Sequence, residues 1–72
     1  MDGEAFAQAL ARRLGLPELG REEIDGLLAM AGTAAHSSER LAAPLCTYLA
    51  GRSGRSVEEV RAEVKRLAGE AG

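Results

Sequence analysis

The side chains able to do chemistry gather in one stretch. His36 is the only histidine of the chain, and Ser37, Ser38, Glu39, Arg40, Pro44 and Cys46 follow it. A serine hydrolase would need His36 as base, Ser37 or Ser38 as nucleophile and a carboxylate such as Asp25 to orient the ring. No nucleophile-elbow pattern surrounds either serine. Cys46 and His36 could form a thiolate pair across the corner that contains Pro44. The plainer reading of a lone Cys on an Ala/Leu helix is a small buried apolar residue. One Cys and one His fall short of the three or four ligands of a zinc site. The expectation is no enzyme, no metal and no cofactor.

Binding is the chemistry that remains. His36 and Arg40 could present two donors to a common anion, a phosphate or a carboxylate. Against this stands a structural reading: His36, in the last turn of a helix, bonds free carbonyls and complements the dipole, while Arg40 caps the same carbonyls or pairs with Glu39 or Glu23. A second candidate is "GRSGRS", Gly51 to Ser56, where Arg52, Arg55 and a helix N-terminus at Ser56 are the ingredients of an anion site. It lacks the strand and lysine of a P-loop, and a polar linker with a good N-cap explains the same letters. Candidate ligand or partner contacts are therefore His36, Glu39, Arg40, Pro44, Arg52 and Arg55.

Four helices must position these residues. Asp2 is an N-cap for a helix over residues 3–14, with Phe6, Leu10 and Leu14 as its apolar stripe and Gly15 as its stop. In "GLPELG", Leu16 and Leu19 are expected to tuck inward. A second helix over 21–36 starts with Glu22, Glu23 and Asp25 at the positive end of its dipole. Its core face is predicted to be Ile24, Leu27, Leu28, Ala31 and Ala35. Gly26, Ala29 and Thr33 form an opposite, small-residue face. Gly26 and Gly32 each cost about 1 kcal/mol relative to Ala in a helix interior; either a close backbone contact or weak intrinsic helicity accounts for them.

Pro44 suits the first turn of a third helix over 42–51, with Leu41, Leu45, Tyr48 and Leu49 aligned and Gly51 as its end. Ser56 and Glu59 make a capping box for a fourth helix over 57–68. There Val57, Val60, Val64 and Leu67 share a face, Glu58, Ala62, Arg61 and Lys65 face water, and Gly69 closes the helix. No stretch alternates apolar and polar residues as a strand does. The fold class is all-α, a single domain built as a bundle of four short helices.

Seventy-two residues lie near the lower limit for folding alone, with an expected stability of a few to about 10 kcal/mol. Only Phe6 and Tyr48 are aromatic, so a homodimer is one way to bury more surface. With 28% charged residues and no long apolar run, the chain reads as a non-membrane protein. Met1-Asp2-Gly3-Glu4 is acidic where a signal peptide is basic, which places the expectation in the cytoplasm. A net charge of −2 offers no general attraction to nucleic acid. Arg61, Lys65 and Arg66 of the last helix, the basic residues a helix-turn-helix would need to read DNA, are offset by Glu58, Glu59 and Glu63. Residues 1–50 hold four basic and seven acidic groups, a net −3, whereas 51–72 hold five basic and four acidic, a net +1.

"EIDGLLAMAGTAAHSSERLAAPLCTYLAGRSGRS", residues 23–56, resembles the core of a small family of helical domains common in actinobacteria. That family's pattern runs from an acidic, leucine-rich helix through Ala-His, a polar pair, Glu or Val before Arg, small residues and Ala-Pro-Leu to an aromatic-Leu-x-Gly ending. Ala35-His36, Arg40 and Ala43-Pro44-Leu45 carry the resemblance most specifically. Such domains stand alone or occur fused to, or encoded beside, molybdenum cofactor guanylyltransferase and formate dehydrogenase accessory proteins. The sequence departs from the pattern after Gly51, where the family often has a longer apolar run, and it has no transferase domain, so no transferase activity carries over. The resemblance implies a role near molybdopterin-dinucleotide biosynthesis or delivery. The preferred expectation is a non-enzymatic accessory module that binds a partner protein, such as a molybdenum-cofactor enzyme or its maturation factor. Its contact surface would include the small-residue face of the second helix and the His36/Arg40 corner. The alternative is a binder of a small phosphate-bearing anion at that corner.

Overall fold

A computed structural model of the chain describes residues 1–71. It holds four α-helices: α1 (Gly3–Arg13), α2 (Arg21–Ser37), α3 (Ala42–Ser53) and α4 (Val57–Ala71). No strand occurs among the described residues.

Local chemistry sets the helix ends. Asp2 accepts a hydrogen bond from the Ala5 N–H at 2.8 Å. At the other end of α1, Gly15 adopts φ 73°, a conformation that costs an L-residue with a side chain. The Leu16 N–H donates to the Ala11 carbonyl and the Gly15 N–H to the Arg12 carbonyl, the paired bonds of a Schellman motif. Ser56 and Glu59 close their capping box with two 3.1 Å bonds, and the Glu23 carboxylate accepts from the Gly20 N–H at the start of α2. Two predicted stops fail. Helix α3 runs past Gly51 to Ser53 and ends at the left-handed Gly54. Gly69 lies inside α4, without the positive φ that would terminate it.

The faces turned inward match the prediction at Ile24 and on α4, where Val57, Val60 and Val64 are half-buried, and differ from it elsewhere. Among the described residues, the buried ones are Ala11, Ile24, Gly26, Met30, Ala34 and Ala50, and of the large ones only Met30 is completely enclosed. On α2 the buried residues are Ile24, from the predicted core face, Gly26, from the small-residue face, and Met30 and Ala34, which lie between the two. Leu28, placed in the predicted core face, is 65% exposed. Gly26 of the small-residue face is an internal contact, set against Val57 of α4, and α2 packs against both α3 and α4. Helix α3 turns Ala50 inward and leaves Leu41, Leu45, Tyr48 and Leu49 outside. On α1, Ala11 is buried while Phe6, Leu10 and Leu14 are exposed. Leu16 is also exposed, whereas Leu19 is half-buried.

Helix α1 stands apart from the other three. Its Cα atoms stay more than 8 Å from those of α2, α3 and α4. What ties it down is Gln8, whose amide donates to the Leu19 carbonyl at 2.9 Å and accepts from the Leu19 N–H at 2.8 Å. Arg21 adds an ion pair with Glu4, and Arg12 one with Glu18. The result is an open molecule. It exposes 5460 Å², where a monomer of this mass exposes about 4,200 Å². Its radius of gyration is 12.6 Å, against about 11 Å for a chain of this length.

Candidate functional site

The corner between α2 and α3 is held by its backbone. The Ser38 N–H donates to the Ala34 carbonyl, Ala42 to Glu39 and Ala43 to Arg40. Pro44 is the third residue of α3, where its missing N–H is one of the four that a helix start leaves unpaired. His36, Glu39, Arg40 and Pro44 are all exposed. None of the side-chain hydrogen bonds or ion pairs among the described residues involves His36, Glu39 or Arg40. Arg40 thus neither caps α2 nor pairs with Glu39 or Glu23, and His36 does not bond the last carbonyls. His36 and Arg40 reach water as two unpaired donors.

The other arginines lie elsewhere. Arg52 lies in the last turn of α3 and Arg55 just beyond it, about 15 Å or more from the corner by helical rise. Arg52 lies over the Tyr48 ring, 5.8 Å from its centroid. Arg55 is drawn to Glu59 at 3.9 Å and Glu63 at 3.8 Å. The fold does not bring the two arginine groups to one anion. Cys46 is half-buried on the wall of a groove between α3 and α4. Among the described residues no three His, Cys, Asp or Glu side chains are grouped to hold a metal ion.

Charged side chains near the helix starts are tuned by neighbours. The Glu59 carboxyl is held below its usual range, chiefly by the Ser56 backbone N–H and then by the Ser56 hydroxyl. A hydrogen bond from Arg66 lowers Glu63. One from Arg21 lowers Glu4, and the Arg21 guanidinium is in turn raised by Glu4 and then Asp25. Glu4, Arg21 and Glu63 are thus shifted by surface ion pairs, and Glu59 by its helix cap.

The concave features are apolar. Between α1 and α2 lies an open groove of about 680 Å³, lined by Ala7, Leu19, Ile24, Leu27 and Leu28, with Asp2 and Glu4 at its mouth. A second, of about 400 Å³, separates α3 from α4 and is lined by Cys46, Leu49, Val60, Val64 and Leu67, with Glu63 and Glu70 at its edge. A third, of about 360 Å³, lies on α1 around Phe6, Leu10 and Arg13. Sequence reasoning placed these leucines in the core. The signal that they are surface was their number: α1, α2 and α3 each carry small residues as well as leucines, and a thin bundle cannot bury both.

A family model matches residues 1–72, the whole chain, and its description is domain of unknown function (DUF6457). The chain belongs to the DUF6457 family. The match takes in all four helices. Within this DUF6457 domain no helix among the described residues is long and apolar enough to cross a membrane. No curated protein and no solved structure matches the chain.

Proposed function

We propose that the chain is a non-enzymatic helical interaction module that seats an amphipathic helix of a partner protein in the groove between α1 and α2. The carrying observation is that groove itself: large apolar side chains line it, and Leu28 stands 65% exposed beside it. Helix-in-groove recognition uses this arrangement, with apolar anchors at helical spacing. Asp2 and Glu4 at the mouth and the exposed Glu22, Glu23 and Asp25 on α2 favour a partner helix with basic residues beside its anchors. Support for the non-enzymatic reading is that the shifted carboxylates Glu4, Glu59 and Glu63 are engaged in a helix cap and surface pairs.

The likeness of residues 23–56 to domains found beside molybdenum cofactor guanylyltransferase supports a molybdenum-cofactor enzyme or its maturation factor as the first partner to test. Titrating the isotope-labelled chain with purified molybdenum cofactor guanylyltransferase should move the amide signals of Ala7, Leu27 and Leu28. Leu28→Ser should weaken binding about tenfold, or 1.4 kcal/mol. Binding that ignores Leu28→Ser overturns the groove, and silence overturns this choice of partner. The second reading, a phosphate-bearing anion at the corner, has the unpaired His36 and Arg40 in its favour. It predicts that inorganic phosphate or GTP shifts the His36 ring signals, and that His36→Ala with Arg40→Ala abolishes the response.

A further inference from the structure

We infer that the outer stripe of α1 is a docking element for a second copy of this chain. It seats in the groove between α3 and α4 of that copy while the other chain's α1 seats in its own. This goes beyond the partner-binding reading and uses different surfaces. Phe6, Leu10 and Leu14 turn away from the α1/α2 groove and are 65%, 49% and 62% exposed. The α3/α4 groove is lined from α4 by Val60, Val64 and Leu67.

Three observations point to a second copy as the occupant. The spacing matches: Phe6, Leu10 and Arg13 stand at i, i+4 and i+7, as do Val60, Val64 and Leu67. Two such rows mesh in helix packing at a shallow angle. The charges are complementary as well. Arg13 flanks the α1 stripe and Glu70 the groove, and among the described residues neither has an ion-pair partner. With the two helices running parallel, Arg13 comes to the Glu70 end. Finally, the area suffices. The chain exposes roughly 1,200 Å² more than a monomer of its mass, and a stable interface takes about 800 Å² from each partner. Each chain carries both the stripe and the groove, so a two-fold pair satisfies both at once.

Sedimentation equilibrium of the full chain tests this. The mass should rise with concentration from 7.5 kDa to twice that value and stop there. Leu10→Glu and Leu67→Glu alter side chains already exposed in the single chain, and each should keep its helical circular dichroism while shifting the dimer dissociation constant at least a hundredfold. Arg13→Glu should weaken association and Arg13→Glu with Glu70→Lys restore it. As a positional check independent of stability, Leu10→Cys should give a disulfide-linked dimer on oxidation that adding Cys46→Ala abolishes. A mass fixed at 7.5 kDa overturns the inference, and so does an open ladder of larger species. A Leu67→Glu chain that stays dimeric, or a Leu10→Cys link that survives without Cys46, shows α1 meeting α1 and overturns the groove as its seat.

Discussion

Gly26 of α2 and Val57 of α4 meet so closely that a Cβ on Gly26 would lie 2.7 Å from Val57 Cγ1. Real Cβ atoms do not approach a neighbour that far, and Val57 has little freedom to yield because a β-branched side chain on a helix is nearly locked at χ1. The glycine is what lets α4 start against α2.

Two glycine substitutions should therefore have opposite signs. Gly26→Ala gains about 1 kcal/mol of helix propensity but overpacks a contact at a cost of about 1–3 kcal/mol, so net destabilisation by about 1 kcal/mol is expected. Gly32 has nothing within 4 Å of its missing Cβ, and Gly32→Ala should stabilise by about 0.8 kcal/mol. At about 4–8 °C per kcal/mol for a domain of this size, thermal melts resolve both. Val57→Ala should reverse the Gly26→Ala penalty; an additive double mutant removes this contact as the cause.

Gln8 is the next test, because its two hydrogen bonds to the Leu19 backbone are the main polar tie between α1 and the rest. At about 0.5–1.5 kcal/mol each, Gln8→Ala should cost about 1–3 kcal/mol. Gln8→Glu should lose most of that too, since a carboxylate cannot donate to the Leu19 carbonyl. Amide exchange should quicken first in α1 and leave α2 protected.

Acid should weaken the fold through the carboxylates held below their usual range. For Glu59, Glu63 and Glu4 the folded pKa is lowered, so below about pH 4.3, the unfolded glutamate value, the unfolded chain binds more protons. Their contribution is present above that pH and is lost as pH falls through the lower folded values. Melting temperature should be flat from about pH 7 to 5 and fall below about 4. All three groups are fully exposed, so 1 M salt should flatten the fall. Ser56→Ala should cost about 1 kcal/mol at neutral pH and shrink the acid dependence.

His36→Ala and Arg40→Ala should each change stability by less than about 0.5 kcal/mol, as exposed residues without polar partners do. A larger loss in a denaturant melt means that the corner is structural after all.

The helices were legible in the sequence to within a few residues because their ends are local affairs. Asp2, Ser56 with Glu59, and Gly15 each act through backbone groups only a few positions away. Gly69 misled because a glycine stops a helix only when it takes a positive φ, and nothing local compels that. The inner faces were not legible. Apolar periodicity put Leu28, Leu45 and Phe6 inside, whereas closely crossing helices need small residues where they touch. The Gly26, Met30, Ala34 spacing was visible, but it did not say what would press against it.

By itself, then, the amino-acid sequence determined an all-α chain, four helices and the chemistry of their caps, since these depend on contacts within a turn or two. Only the tertiary structure decided which stripe of each helix is core and which is surface. That choice rests on the meeting of Gly26 with Val57, thirty-one positions apart in the chain, and once α2, α3 and α4 close on their small residues the leucines have nowhere to go but outward.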